Sequence, residues 1–138
     1  MFQKDWIMRM TQQIAQVIAK VVFNKEQHHY QESHELTNTA LRQYFTLSRD
    51  LVLSLSADDC LQLANGFGEL RSEVVLTLVD LLVIDADVFT MEGRSDVATV
   101  IYEKSLAFLD RLQISGDQEL QHAVESKLSL IRSKLLPS

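Results

Sequence analysis

The sequence contains few of the residues that interrupt or cross-link a chain: one proline, four glycines and one cysteine among 138 residues. Proline and glycine mark turns, so their scarcity favours long helices over a β fold with many turns. Cys60 has no second cysteine with which to form an internal disulfide, as is typical of proteins in a reducing cytoplasm.

Cationic side chains are also the minority, with 13 lysines and arginines against 19 acids and a formal net charge of −6. Proteins bind nucleic acids largely by neutralising phosphates with lysine and arginine, and here the basic residues are scattered. We therefore expect no nucleic-acid partner. The apolar content of 46% is sufficient for a folded core, and the length fits a single domain over residues 1–138.

Residues 72–114 are the most apolar part of the chain and are predicted to form a central hairpin. Two helical stretches, residues 72–91 and 95–114, meet at Gly93. The first stretch is apolar on nearly all sides, so other elements must enclose it. A membrane span needs about 20 predominantly apolar residues, and three acids interrupt this one. These acids are Asp80, Asp85 and Asp87.

Other stretches with helical periodicity complete an all-α bundle of five or six helices. The predicted helices cover residues 2–23, 35–55, 58–64 and 117–136. Ser56, Ser72 and Asp117 are predicted to cap the helices that follow them, because side-chain oxygens at the N-cap accept hydrogen bonds from free backbone amides. The polar residues 24–33 are predicted to be a connection or a solvated helix start.

The first predicted helix carries an apolar stripe at spacings of three and four residues. The stripe consists of Ile7, Met10, Ile14, Val17 and Val21. It can pack onto the core of its own chain, form the two-fold seam of a homodimer, or lie on a membrane surface beside Trp6. Packing onto the core is the favoured interpretation. The membrane surface ranks last because glutamine rather than lysine predominates on the polar face, and we expect no stable membrane insertion.

The opening residues mix charged and apolar side chains where a signal peptide would be continuously apolar. Together with the single cysteine, this pattern predicts a cytoplasmic protein that is not exported.

Three histidines near two glutamates raise the question of a metal site. The histidines are His28, His29 and His34. On a helix, His28 and Glu32 would share a face, but zinc sites use two such ligand pairs at defined spacings, and a second pair is missing. We predict an exposed polar connection here, with no metal and no other cofactor.

Cys60 follows two acids near a helix start, and those acids oppose formation of a thiolate. A buried structural thiol is therefore predicted rather than a nucleophile. No catalytic residue is predicted in this sequence.

Residues 79–112 resemble one unit of the tetratricopeptide repeat family. Small and aromatic residues fall at the family's positions: Ala86, Phe89, Ala98, Tyr102 and Ser105. Leu82 replaces the family's usual tryptophan, Asp85 stands where the family has a leucine, and no proline closes the unit. The resemblance implies a helix hairpin of that geometry rather than a repeat array, because a stable array needs about three units.

In tetratricopeptide repeats, first-helix residues line a concave face that grips peptides. The corresponding positions here are Asp80, Val83, Asp87, Thr90 and Met91. The two acids favour a basic peptide or protein segment as the partner. Alternatively, Val83 and Met91 belong to the core, and Asp80 and Asp87 form the solvated edge of the helix.

The opening residues FQKDWIMRM are similar to the start of an uncharacterised family of small acidic helical proteins from Firmicute bacteria. This resemblance implies a bacterial cytoplasmic origin and no particular activity.

These features predict a non-enzymatic interaction or scaffold module that associates with itself as a homodimer. The alternative is an enzyme or small-ligand-binding protein that uses the acids Asp80, Asp85 and Asp87. Helical bundles can hold di-metal centres, which use Glu-x-x-His pairs on two helices. Glu32 and His34 approach such a pair but are at the wrong spacing for it.

Overall fold

A computed structural model describes residues 2–66, 68–112 and 117–136, with side chains from residue 5 onward. All regular secondary structure in these ranges is helical, which confirms the all-α prediction. The helices are α1 (Phe2–Glu26), α2 (Tyr30–Phe45), α3 (Arg49–Ser54), α4 (Ala57–Ala64), α5 (Ser72–Met91), α6 (Ser95–Asp110) and α7 (Gln118–Leu135).

Helix α5 is the centre of the fold, as its apolar composition predicts. It packs against α1, α2, α4, α6 and α7, so it is enclosed on nearly every side. Val75, Leu78, Leu81 and Leu82 are completely buried along it. Gly93, with φ of +85°, ends the helix and allows the chain to turn back into α6.

The predicted second helix over residues 35–55 is wrong, because the structure divides that stretch into α2 and α3. Thr46 adopts the left-handed conformation with φ of 54°, and the Ser48 side chain accepts a hydrogen bond from the Leu51 amide to start α3. Leu47, between them, is 1% exposed. The apolar pattern runs through the break because the break itself is packed in the core.

This division explains why the described residues contain seven helices instead of five or six. Helix α2 also begins earlier than predicted, at Tyr30. The connection between α1 and α2 is limited to residues 27–29. The predicted end of the second hairpin helix at residue 114 lies outside the described residues, and α6 ends at Asp110.

Two of the three predicted N-caps are confirmed. Ser56 accepts a hydrogen bond from the Asp59 amide at 3.1 Å, and Asp117 accepts one from the Leu120 amide at 3.0 Å. The prediction for Ser72 is wrong, since Arg71 occupies the N-cap of α5 without a side-chain cap hydrogen bond. Helix α5 is held by burial of its apolar surface, so its first turn depends little on a cap.

The apolar stripe of α1 packs inside its own chain. Met10, Ile14 and Val21 are 2%, 1% and 0% exposed, and Ile7 and Val17 are partly buried. A homodimer seam built from these side chains would require α1 to leave the bundle. Self-association therefore stays a prediction that needs another surface.

The small and aromatic residues that define the resemblance in the α5–α6 hairpin lie in the core. Ala86, Ala98 and Ser105 are buried, as are Phe89 and Tyr102. In the described ranges no helix is both long and apolar enough to cross a bilayer.

Candidate functional site

A buried polar network joins α2, α3 and α5 near the carboxyl end of α5. Its centre is Asp85, which is completely buried within an otherwise apolar helix. Arg49 contacts Asp85 through two parallel hydrogen bonds, from Nε to Oδ2 at 2.7 Å and from Nη2 to Oδ1 at 3.0 Å. Such a bidentate pair is among the strongest side-chain interactions in proteins.

His34 lies between two carboxylates of α5 and its C-cap. Its Nδ1 is 2.8 Å from Oδ1 of Asp85, and its Nε2 is 2.6 Å from Oε1 of Glu92. Arg49 also donates from Nη2 to the backbone carbonyl oxygen of His34 at 2.9 Å. The network therefore fixes both the ring and the backbone of the first turns of α2.

Phe89 completes the network from one side. Its ring stacks on the His34 imidazole, with centroids 3.9 Å apart and an angle of 28° between the planes. The guanidinium groups of Arg49 and Arg94 lie 5.3 Å and 5.1 Å from the centroid of the same ring. These distances are within the range of cation–π attraction.

A carboxylate oxygen lies within hydrogen-bond distance of each ring nitrogen of His34. The charge of Arg49 balances that of Asp85, to which it is joined by two hydrogen bonds. Paired and hydrogen-bonded charges are the condition under which such groups tolerate burial.

Sequence reasoning missed this network. It placed His34 in an exposed connection and treated Asp85 as a departure from a repeat pattern. The available signal was the acid itself, since a charged residue inside a buried helix requires a partner. The partners, Arg49 and His34, are 36 and 51 residues away in the chain and could not be identified by spacing.

The predicted partner-binding acids on α5 are already paired with lysines of α7. Nζ of Lys127 is 2.5 Å from Oδ1 of Asp80, and Nζ of Lys134 is 3.0 Å from Oδ1 of Asp87. Each lysine follows its aspartate by 47 residues, so α7 runs parallel to α5 and in register with it. The local charge is therefore balanced, and the preference for a basic partner is weak at this face.

Asp87 also accepts a hydrogen bond from the Tyr102 hydroxyl on α6. Burial raises the pKa of Tyr102 above its ordinary value, and the neighbouring Asp87 carboxylate raises it further. Asp87 thus links α5 to both α6 and α7, in addition to facing solvent.

A cleft of about 350 Å³ remains between α1, α5 and α7. We call it the α5–α7 cleft. Its lining is mostly apolar: Ile18, Val79, Val83, Ile84, Leu130 and Ile131, with Asp80, Asp87 and Lys127 at the edge. Leu130 is 51% exposed, so a large apolar side chain forms one wall. Three of the five predicted partner-binding residues line this cleft.

The other two predicted residues lie apart from the cleft. The Thr90 hydroxyl donates to the carbonyl oxygen of Ala86, one turn earlier in α5, and Met91 is 51% exposed at the helix end. Nor do the acids of the alternative hypothesis form one cluster, since Asp80 and Asp87 face the cleft and Asp85 lies in the buried network.

Of the three histidines near α2, only His34 is buried. His28 has a φ of 62°, and its Nδ1 is 2.8 Å from the Tyr30 hydroxyl, whereas His34 is buried. Among the residues that the structure describes, no three histidine, cysteine or acidic side chains are grouped so as to hold a metal ion.

Cys60 is buried, as predicted. Desolvation by burial raises the pKa of its thiol, and nearby Lys104 only partly opposes this effect. The thiol therefore stays protonated at neutral pH, and it is a poor nucleophile in this environment.

A second and larger concavity, of about 510 Å³, follows the surface between α1 and α2. We call it the α1–α2 groove. It is lined by Val17, Asn24, Glu32, Glu35, Leu36, Thr39, Ala40, Gln43 and Tyr44. The α2 members recur every three or four residues, so the groove follows one face of that helix.

Comparison with curated proteins and with solved structures gives no match to this chain. The comparisons therefore offer no support for a tetratricopeptide repeat or for an origin in Firmicutes. Residues 1–127 match DUF6483, a family of unknown function, and the chain belongs to that family.

Proposed function

We propose that the protein is a non-enzymatic interaction module that associates with itself through the α5–α7 cleft. The observation that carries this proposal is an apolar cleft of about 350 Å³ with the half-exposed Leu130 as one wall. An apolar side chain left in solvent beside an apolar depression favours contact with another apolar surface.

A second copy of the chain is the occupant that we propose, and the balanced charges at the cleft edge are compatible with it. Asp80 and Asp87 on α5 lie in register with Lys127 and Lys134 on α7. A two-fold axis along the cleft would place α5 of one copy opposite α7 of the other, so each aspartate would face a lysine of the second copy. Surfaces that complement themselves in this way are what a two-fold homodimer requires.

In the same arrangement, Leu130 of each copy would lie over the apolar floor of the other. The floor includes Val83 and Ile84, which are partly buried. This interface replaces the predicted α1 seam, whose side chains already pack in the core. A scaffold role follows from a dimer that presents two identical bundles. We also propose that α5 and α6 form a helix hairpin with the geometry of a tetratricopeptide repeat unit, as the resemblance implies.

Light scattering coupled to size-exclusion chromatography tests the proposal on wild type, Leu130→Glu and Leu136→Glu. Leu136 is the matched control, since it is 70% exposed at the end of α7 and lies outside the cleft. We expect a wild-type dimer whose dissociation constant rises at least about tenfold in Leu130→Glu, because a charge would be buried at the centre of the interface. Leu136→Glu should leave the dimer intact. A monomeric wild type, or equal effects of both variants, would refute the proposal.

A small apolar ligand is the second candidate occupant. The cleft volume falls within the range of about 300 to 1,000 Å³ that is typical of ligand pockets, and it lies between bundle helices. This candidate predicts that a monomeric wild type binds a fluorescent apolar probe such as anilinonaphthalene sulfonate. It also predicts that Leu130→Trp, which would fill the cleft, reduces that binding.

A further inference from the structure

We propose that the α1–α2 groove docks a basic amphipathic segment of a partner protein. The groove shares none of its lining residues with the α5–α7 cleft. The inference is therefore independent of self-association, and either proposal can fail without the other.

The floor of the groove is apolar and held in place. Ala40 is 2% exposed, and Val17 and Leu36 are partly buried on the two helices. The Tyr44 hydroxyl donates to Oε1 of Gln13 at 2.6 Å, which fixes the tyrosine ring against α1. A fixed apolar floor of this kind suits the apolar side chains of a partner helix, which recur every three or four residues.

The charges at one end of the groove select the occupant. Glu32 and Glu35 are exposed and line the groove, and neither forms an ion pair within the described part of the chain. Lys20 and Lys25, on the facing helix, form no ion pair with them either. This arrangement differs from the α5–α7 cleft, where lysines of the same chain neutralise the acids.

The unpaired acids therefore provide the complementarity to a basic partner that Asp80 and Asp87 lack. An amphipathic segment with lysine or arginine at one end would place those cations near Glu32 and Glu35. The apolar face of the segment would then cover Leu36 and Ala40. Opposite charges at the rim of an apolar groove fix the direction of a bound helix and exclude acidic segments.

The test uses a synthetic amphipathic peptide of leucine and lysine, with its leucine–glutamate counterpart as the charge-reversed probe. Fluorescence anisotropy at low salt gives the affinity, and amide chemical shifts of the labelled full chain locate the site. We expect the basic peptide to bind, the acidic peptide not to bind, and the largest shifts to cluster at Val17, Leu36 and Gln43.

Variants decide whether the groove or only the net charge attracts the peptide. Glu32→Gln/Glu35→Gln should weaken binding roughly three- to tenfold, as expected for the loss of two exposed ion pairs. Glu119→Gln/Glu125→Gln on α7 is the matched control, because Glu125 accepts from Gln121 at 3.2 Å much as Glu35 accepts from Gln31 at 3.3 Å.

A steric variant tests the apolar half of the argument. Thr39→Arg places a long cation in the groove and should abolish binding, whereas Thr99→Arg, on the exposed face of α6, should not. Circular dichroism verifies that each variant is folded. The proposal would be overturned if a variant and its matched control lost peptide binding equally, or if the amide chemical shifts changed away from the groove. It would also be overturned if Thr39→Arg disrupted a dimer.

Discussion

Replacing Asp85 by asparagine should cost this protein a large part of its stability. The substitution keeps the size of the side chain and removes its charge. It leaves the Arg49 guanidinium and the His34 ring without the carboxylate that both contact. Asparagine has one acceptor oxygen, so at least one of these donors would lose its partner.

The magnitude follows from burial. Asp85 is completely buried, and the side chain of Arg49 is 17% exposed. Removal of one partner from a buried ion pair costs about 3 to 5 kcal/mol, because the remaining charge stays desolvated without compensation. Since Arg49 keeps some contact with solvent, we expect about 3 kcal/mol. Small domains have a total stability of about 5 to 15 kcal/mol, so the variant should fold with a clearly lowered midpoint.

Urea denaturation followed by circular dichroism measures this loss as a change in midpoint at constant slope. Asp110→Asn is the matched control, since Asp110 is exposed on α6 and forms no ion pair within the described residues. Its stability should stay within about 0.5 kcal/mol of wild type.

A double-mutant cycle with Arg49→Met shows whether the pair acts as a unit. After Arg49 is removed, Asp85→Asn should cost much less than it does in wild type, with a coupling of about 1 kcal/mol or more. Two results would contradict this expectation: Asp85→Asn lowers the free energy of unfolding by less than about 1 kcal/mol, or the two substitutions have strictly additive effects. Either result would show that the buried Asp85–Arg49 ion pair does not stabilise the fold as a unit.

Two further predictions concern the backbone and alkaline pH. Thr46→Gly should stabilise the protein by roughly 0.5 to 1 kcal/mol in the same urea assay, because a β-branched residue is strained at φ of 54° and glycine is not. Thr99→Gly, within α6, should instead cost about 0.3 kcal/mol, since glycine is a poorer helix former than threonine. The pKa of Tyr102 is raised in the folded state, so folding retains a phenolic proton that the unfolded chain loses above its ordinary pKa of 10.0. Stability should therefore fall as pH rises above that value, and Tyr102→Phe should make the fall shallower. An unchanged pH dependence would exclude Tyr102 as a source of the loss, and Cys60, whose pKa is also raised, would be substituted next.

Local sequence determined most helices of this protein. The bounds of α5 agree with the prediction from Ser72 to Met91, and the caps at Ser56 and Asp117 have the expected hydrogen bonds. These features depend on neighbours within a few residues along the chain. Periodicity and capping chemistry were therefore sufficient to identify them.

The break between α2 and α3 depended on tertiary packing. Residues 45–52 keep a helical apolar pattern, yet Thr46 turns the chain so that Leu47 enters the core and Arg49 reaches Asp85. The energy that supports a left-handed threonine comes from these distant contacts. Ser48, a favoured N-cap residue, is a local signal for the start of α3, but no local preference favours a left-handed threonine before it.

The candidate sites likewise depend partly on local sequence and partly on tertiary structure. The sequence indicated that α5 carries acids on its exposed edge, but only the fold placed lysines 47 residues later in the chain beside Asp80 and Asp87. Within the residues that the structure describes, the fold also leaves Glu32 and Glu35 without an ion-pair partner. For α1, an apolar stripe satisfies a core and a dimer seam equally well, because both remove the same surface from water. The burial of Met10 and Ile14 against the rest of their own chain is a property of the tertiary structure alone.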